Sequence, residues 1–229
     1  MHVSNVSTPD SFPRTDQTSL RSTHYDRNDG IALGSMPTAD GVTEQLDALL
    51  GDRHSLVFVG YSALGYADLP GMRQKAQAII EKALAEHPEG INVVIGATKD
   101  GIGEIYELVQ DKADLKEKVT LLGIVSAAAR EWGVAIEEEN VAFVEDPGNT
   151  WQVKSAEGYS YTLYPAQKNG ELLAMGGGAV ALEELEQARA LGLEVNIFEF
   201  AADPQKLQAK LKPGQSQIEL MPVCSQYFP

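Results

Sequence analysis

The chain has 229 residues, and 43% of them are apolar, which is enough to bury a core and excludes a wholly disordered protein. Its 33 acidic and 18 basic residues give a formal charge of −15, which disfavours a nucleic-acid or membrane-surface partner by repulsion of phosphate and anionic lipid. The single cysteine, Cys224, excludes an internal disulfide, and no apolar run reaches the ~20 residues that a membrane span needs.

The first thirty residues are polar: nine are Ser or Thr, and four acids nearly balance three bases. No helical or strand period runs through them, so we predict a disordered polar leader over residues 1–45. An inert terminus and an export signal of the type III secreted kind are both open interpretations. No apolar h-region is visible, so we expect a cytoplasmic protein, with type III-like delivery into a host cell as the alternative.

Short apolar runs alternate with helical periodicity from residue 56 onward. Strands are predicted over residues 56–59, 91–95, 119–125, 141–145, 171–175 and 195–200. Helices are predicted between and after them, over residues 71–86, 102–109, 126–132, 180–191 and 204–211. The alternation is broken by residues 147–170, for which we predict a long irregular insert or a hairpin.

This order of elements predicts an α/β fold with a doubly wound, mostly parallel sheet and helices on both faces. We assign a single domain to residues 46–211 and a C-terminal tail to residues 212–229. The sequence leaves open whether that tail packs on the core or extends freely. Because open α/β sheets bind ligands at the carboxyl ends of their strands, the turns after the strands are the candidate site.

The turn after the first predicted strand, residues 60–63, combines a glycine with a small hydroxyl side chain. Gly60 lets a ligand approach the backbone closely, and Ser62 offers a hydrogen-bonding group. The same residues also suit an ordinary strand-to-helix turn. Taken alone, this turn predicts no ligand, and it gains weight only together with the two later turns.

The turn after the second predicted strand, residues 96–103, has more of the features of an anion site. Gly96 frees the strand exit, Thr98 adds a hydroxyl donor, and Gly101 leaves the first N–H groups of the next helix uncovered. The turn lacks the GK[ST] ending of a Walker A motif. The pattern therefore indicates either phosphate binding or a tight structural loop.

Three consecutive glycines separate the fifth predicted strand from its helix. Gly176, Gly177 and Gly178 form a second candidate phosphate cradle. Glu184 falls in the first turns of the helix that follows. A carboxylate at that position stabilises the helix dipole, acts as a general acid or base, or accepts a ribose hydroxyl, and the sequence leaves these roles open.

The early and late glycine turns, with the Glu-Glu-Leu that follows the late one, resemble the LONELY GUY family of the SLOG superfamily. The family motif PGGxGTxxE falls on residues 176–184, and three of its positions are matched, by Gly177, Gly178 and Glu184. The Pro, the last Gly and the Thr of the motif are replaced here by Gly, Val and Ala. Residues 58–62 and 96–102 resemble the family's two earlier turns, in the same order along the chain.

The resemblance implies a Rossmann-like fold that binds a small-molecule nucleotide. It implies hydrolysis of the N-glycosidic bond of a nucleoside 5′-monophosphate, with Glu184 as the catalytic carboxylate and the glycine turns holding phosphate and ribose. Arg130 is the local candidate for the family's catalytic arginine, and Lys154 for its phosphate-binding lysine. The resemblance also implies a homodimer. The alternative is a non-catalytic module that binds a nucleotide or an NAD-derived ligand. A secreted effector is compatible with either function.

Four aromatic residues concentrate in the predicted insert: Trp151, Tyr159, Tyr161 and Tyr164. They are interpreted either as packing residues or as a stacking wall for a nucleobase. The four histidines show no metal-ligand spacing. We therefore predict neither a metal nor a cofactor.

Overall fold

The structure is a computed structural model that describes residues 20–27, 39–136 and 140–229. Within these residues seven strands form one sheet, in the spatial order β1-β7-β6-β2-β3-β4-β5. The strands are β1 (Ser22–Tyr25), β2 (Ser55–Gly60), β3 (Ile91–Ile95), β4 (Val119–Ser126), β5 (Val141–Val144), β6 (Gly170–Met175) and β7 (Val195–Phe198). Only β1 runs antiparallel to its neighbour, β7, and every other pair is parallel.

Ten α-helices connect or flank these strands in the described part of the chain. They are α1 (Gly41–Leu50), α2 (Leu69–Glu86), α3 (Glu104–Gln110), α4 (Ala113–Lys116), α5 (Ala128–Glu131), α6 (Tyr164–Asn169), α7 (Ala179–Ala190), α8 (Pro204–Lys210), α9 (Gln217–Leu220) and α10 (Pro222–Tyr227). Side-chain caps fix several helix starts: Asp40 accepts N–H bonds at the start of α1, Asp68 at α2 and Asp203 at α8. Short 3₁₀ turns over Gly101–Gly103 and Tyr161–Leu163 precede α3 and α6.

Alternate residues of the central strand β2 supply two cores on opposite faces of the sheet. Val57 and Val59 belong to the core covered by α1 and α7. Leu56 and Phe58 belong to the core covered by α2 and α3. The predicted fold class is confirmed: the protein has an α/β, Rossmann-like, doubly wound and mostly parallel sheet with helices on both faces.

The chain reverses its direction of growth across the sheet beside β2. From β2 it runs outward through β3 and β4 to β5, and then it returns to place β6 on the other side of β2. In open α/β sheets such a switch point leaves a crevice at the carboxyl ends of the strands. The turns after β2, β3 and β6 therefore meet at one edge of the sheet.

The prediction of a disordered leader through residue 45 is wrong in two described segments. β1 is an exposed edge strand whose residues are mostly polar, so it lacks the apolar alternation that marks a strand in sequence. Helix α1 begins at Gly41 because Asp40 and Thr43 form a capping box. The rest of the predicted leader, residues 1–19 and 28–38, lies outside the described residues.

The C-terminal tail packs on the core, which settles an alternative that the sequence leaves open. Val223 of α10 has no exposed surface and lies in the core beneath α7. Arg21 donates a hydrogen bond of 3.1 Å to the carbonyl oxygen of Phe228. Among the helices that the structure describes, none is both long and apolar enough to cross a membrane.

Candidate functional site

A cavity of about 140 Å³ opens at the carboxyl edge of the sheet, beside the switch point. Its floor is the ends of β2, β3 and β4, and its walls are the start of α7 and the segment between β5 and α6. The lining residues are Phe58, Val59, Gly60, Ser62, Gly96, Thr98, Ile102, Ile124, Val125, Ser126, Trp151, Val153, Thr162, Val180, Ala181 and Glu184. Five residues predicted for the site lie here together: Gly60, Ser62, Gly96, Thr98 and Glu184.

Glycine is present in the two early turns for different physical reasons. At Gly60, an added Cβ would overlap the hydroxyl of Tyr66 and lie 3.2 Å from Ile102 Cδ1, so the floor has no room for a side chain. At Gly96, an added Cβ would meet nothing within 4 Å, so the space beside this glycine is open. Gly101 has φ +68°, and a Cβ there would overlap the carbonyl of Tyr61. Gly101 therefore shapes the turn and does not line the cavity.

The late glycine turn is largely covered. Gly176 has φ +59° and Gly177 has φ +142°, and both are buried. A Cβ at Gly177 would lie 3.3 Å from the side chain of Val223, because α10 packs over the turn. Gly178 is the N-cap of α7 and supplies no side-chain cap. None of the three glycines lines the cavity, whereas the next turn of the helix does, through Val180 and Ala181.

Glu184 is a buried carboxylate that faces the cavity. Its residue is 8% exposed, and the Ser160 hydroxyl donates a 2.9 Å hydrogen bond to its Oε1. Burial raises the pKa of Glu184 to about 6, while hydrogen bonds from the hydroxyls of Ser160 and Thr162 oppose the rise. A carboxyl group with such a pKa exists in both protonation states near neutral pH, as a general acid or base requires.

The two predicted basic residues lie elsewhere. The Arg130 guanidinium stacks over the ring of Phe143 on β5, 3.4 Å from the ring centroid. Lys154 pairs with Glu183, which also accepts a hydrogen bond from Gln152. Gln152, Lys154 and Glu183 border a separate recess of about 10 Å³. The described residues that line the main cavity thus include no Lys or Arg, and Glu184 is their one ionisable acid.

Several residues of the cavity were not predicted from the sequence. Ser126 ends β4 and Thr162 lies in the 3₁₀ turn before α6, and both line the cavity. Ser160, the N-cap of that turn, is not a lining residue and reaches Glu184 through its hydroxyl. Ser160 and Thr162 belong to a segment predicted to be irregular, so no sequence period marks them. Trp151 was predicted only as one of four aromatics in the insert, and periodicity could not separate it from the tyrosines.

Comparisons with known proteins add no family: no protein-family model matches the chain, and no curated protein matches it significantly. In the described part of the chain, no group of three or more His, Cys, Asp or Glu side chains is arranged to hold a metal ion. The chemistry of the cavity therefore has to be inferred from its own residues.

Proposed function

We propose that the cavity binds a nucleotide and that the protein hydrolyses the N-glycosidic bond of a nucleoside 5′-monophosphate. The observation that carries this proposal is Glu184, a buried carboxyl group with a raised pKa at the switch point of a Rossmann-like sheet. The register of Gly177, Gly178 and Glu184 with the LONELY GUY motif supports the same reaction.

The first turn of α7 supplies a place for negative charge. This helix of 12 residues has no side-chain cap, and residues of its first turns line the cavity. Its leading N–H groups and its dipole favour a phosphate group there. Thr98 and Ser62 also line the cavity and offer hydroxyl groups to the same ligand.

Hydrolysis of the glycosidic bond requires water to add to C1′ as the bond from C1′ to the base nitrogen breaks. The electron pair of that bond goes to the base nitrogen. This nitrogen takes up the second hydrogen of the water, passed on from Glu184 or through solvent, while the OH group stays on C1′. Glu184 in its ionised form accepts the proton of the attacking water, or binds the ribose hydroxyls while positive charge develops on the ribose. The products are the free base and ribose 5-phosphate.

A second candidate function is a binding module that does not cleave its ligand. One observation favours it: the described lining includes no cation to stabilise a phosphate or a leaving group. Arg130 is engaged with Phe143, and Lys154 with Glu183. In this case Glu184 would hold a ribose hydroxyl of a nucleotide or an NAD-derived ligand.

The test is release of free base, followed by chromatography, from a panel of nucleoside 5′-monophosphates, nucleosides and NAD. Glu184→Gln keeps the shape and the hydrogen bond from Ser160 but removes the ionisable group, so it should abolish release. Glu183→Gln is the matched control, because it removes one carboxylate from the same helix outside the main cavity. Release of base that persists in Glu184→Gln contradicts the proposed catalytic role of Glu184. Ligand binding without release from any substrate supports the binding module.

A further inference from the structure

The four aromatic residues of the segment after β5 have different environments. Tyr161 and Tyr164 are buried, and their hydroxyls donate hydrogen bonds to Asp40 and Asp47 at the start and middle of α1. Tyr159 packs against the core on the same face of the sheet. These three residues therefore have structural roles. Trp151 differs from them, because it lines the cavity and keeps 38% of its surface exposed.

The backbone of Trp151 has an unusual conformation. Its φ is +64°, in the left-handed region that bulky residues rarely adopt. Holding a residue there costs about 1–3 kcal/mol, and such strain concentrates at ligand-binding sites. Nearby Asn149 also has a positive φ, of +49°. The packing of the partly exposed Trp151 side chain does not by itself require this bend in the backbone.

A single carboxylate holds this bend. Asp146 accepts hydrogen bonds from the N–H groups of Trp151, at 2.8 Å, and Thr150, at 3.1 Å. It also accepts the hydroxyl of Ser126 at 3.0 Å, which ties the bend to the carboxyl end of β4. Burial alone would raise the pKa of Asp146, but these hydrogen bonds hold it below its ordinary value. Asp146 is therefore an ionised anchor that fixes Trp151 beside the cavity.

The size of the cavity indicates what Trp151 contacts. Its volume of about 140 Å³ is well below the ~300–1,000 Å³ of pockets that enclose a whole small ligand. Only part of a nucleotide fits inside, and the remainder lies at the opening. The indole is partly exposed and the neighbouring lining residues Val125 and Val153 are apolar. An apolar, planar surface of this kind is suited to the flat face of a base.

We propose that Trp151 is the stacking platform for the base of the ligand, and that Asp146 is the residue that positions it. This inference rests on the proposed nucleotide site and adds to it the residue that recognises the base. Glu184 and the first turn of α7 would contact the sugar and phosphate, so base and sugar recognition would reside on separate elements.

The experiment uses the two tryptophans of the chain. Trp132 is 68% exposed and does not line the cavity, so Trp132→Phe leaves Trp151 as the one tryptophan reporter. AMP and adenosine carry the base, whereas ribose 5-phosphate does not. In this variant, AMP and adenosine should quench Trp151 fluorescence in a saturable manner. Ribose 5-phosphate should bind, as measured by calorimetry, without quenching.

Affinity gives the second readout. In the otherwise unchanged chain, Trp151→Ala should weaken AMP binding by about 5- to 150-fold, the range measured for loss of one base-stacking aromatic, while Trp151→Phe retains most of the affinity. The affinity for ribose 5-phosphate should not change. Asp146→Asn, combined with Trp132→Phe, should shift the emission maximum of Trp151. It should also weaken the binding of AMP but not the binding of ribose 5-phosphate. Thermal denaturation of each variant checks that the fold is retained.

The outcomes separate the two proposals. If the unchanged protein binds AMP and Trp151→Ala binds it equally well, the stacking role is wrong and the nucleotide site stands. If Asp146→Asn leaves both emission and AMP affinity unchanged, the positioning role is wrong. If the unchanged protein binds neither base-bearing ligand nor ribose 5-phosphate, the nucleotide site itself fails, and the stacking role fails with it.

Discussion

At the scale of single residues, Glu184 is the ionisable acid of the described cavity lining, and it is largely removed from water. Its carboxylate accepts hydrogen bonds from Ser160 and Thr162. The charge of Glu183 raises its pKa, and the charge of Lys154 lowers it. Desolvation is the largest effect and disfavours the charged form. A buried carboxylate costs stability at neutral pH, and such a cost is typical of residues kept for function.

The raised pKa predicts a pH-dependent stability. Because the pKa of Glu184 rises from 4.5 to about 6 on folding, the folded state binds more protons than the unfolded state between these values. The contribution of Glu184 to stability is therefore fully present below pH 4.5 and falls, by about 2 kcal/mol, as pH rises through 6. Glu184→Gln should lack this loss.

The measurement is urea unfolding of both proteins from pH 4 to pH 8. At pH 8 Glu184→Gln should be more stable than the unchanged protein by about 2 kcal/mol, and the difference should shrink toward pH 4.5. Carboxylates with lowered pKa values, such as Asp146, titrate alike in both proteins and cancel in the difference. A difference that is constant across this pH range would contradict the assigned environment of Glu184.

At the scale of elements, the turn after β3 offers a test that separates ligand contact from folding. An added Cβ at Gly96 meets no atom within 4 Å and lies at the cavity, whereas Gly101 has φ +68° and close carbonyl neighbours. Gly96→Ala should fold with nearly unchanged stability yet weaken AMP binding. Gly101→Ala should lower the free energy of unfolding, by roughly 1–3 kcal/mol or more, because backbone must move.

Thermal denaturation and calorimetric titration with AMP measure the two effects separately. A stable Gly96→Ala variant with unchanged AMP affinity would place the ligand away from this turn. A Gly101→Ala variant as stable as the unchanged protein would contradict the close approach of the 3₁₀ turn to Tyr61.

The C-terminal helix α10 is a structural part of the late glycine turn. Val223 is fully buried against Gly177, while Ile218 of the preceding helix α9 is 62% exposed. Val223→Ala should lower the free energy of unfolding by about 1–3 kcal/mol, through lost burial and the cavity left behind. Ile218→Ala, the matched control, should change it by less than about 0.5 kcal/mol. Equal effects of the two substitutions in chemical denaturation would contradict the packing of the tail.

At the scale of the whole molecule, the strand order creates the site and the sequence could not reveal that order. The six predicted strands are all present, because buried parallel strands are short apolar runs bounded by turn residues. Strand β1 and helices α1, α4, α6, α9 and α10 were missed. A polar edge strand lacks an apolar period, and α1 is identified chiefly by its cap. The other four helices have six residues or fewer, too few to show a helical period. The switch beside β2, which brings residue 60 near residue 184, depends on long-range pairing.

The candidate site was predictable to a similar extent. Gly60, Gly96 and Glu184 follow from turn chemistry and line the cavity. The covered state of Gly176 and Gly177 depends on the tail, which sequence patterns leave undecided. Trp151 and its anchor Asp146 lie on a segment without periodicity, so only the folded chain separates them from their neighbours.

The central claim is that Glu184 acts on the glycosidic bond of a bound nucleotide. The most direct measurement is the rate of base release from AMP and its purine and pyrimidine counterparts, as a function of pH, by the unchanged protein. If the ionised form is the active one, the rate should rise with an apparent pKa near 6 and should be lost in Glu184→Gln but not in Glu183→Gln. Release that is equal in the unchanged protein and Glu184→Gln would contradict it.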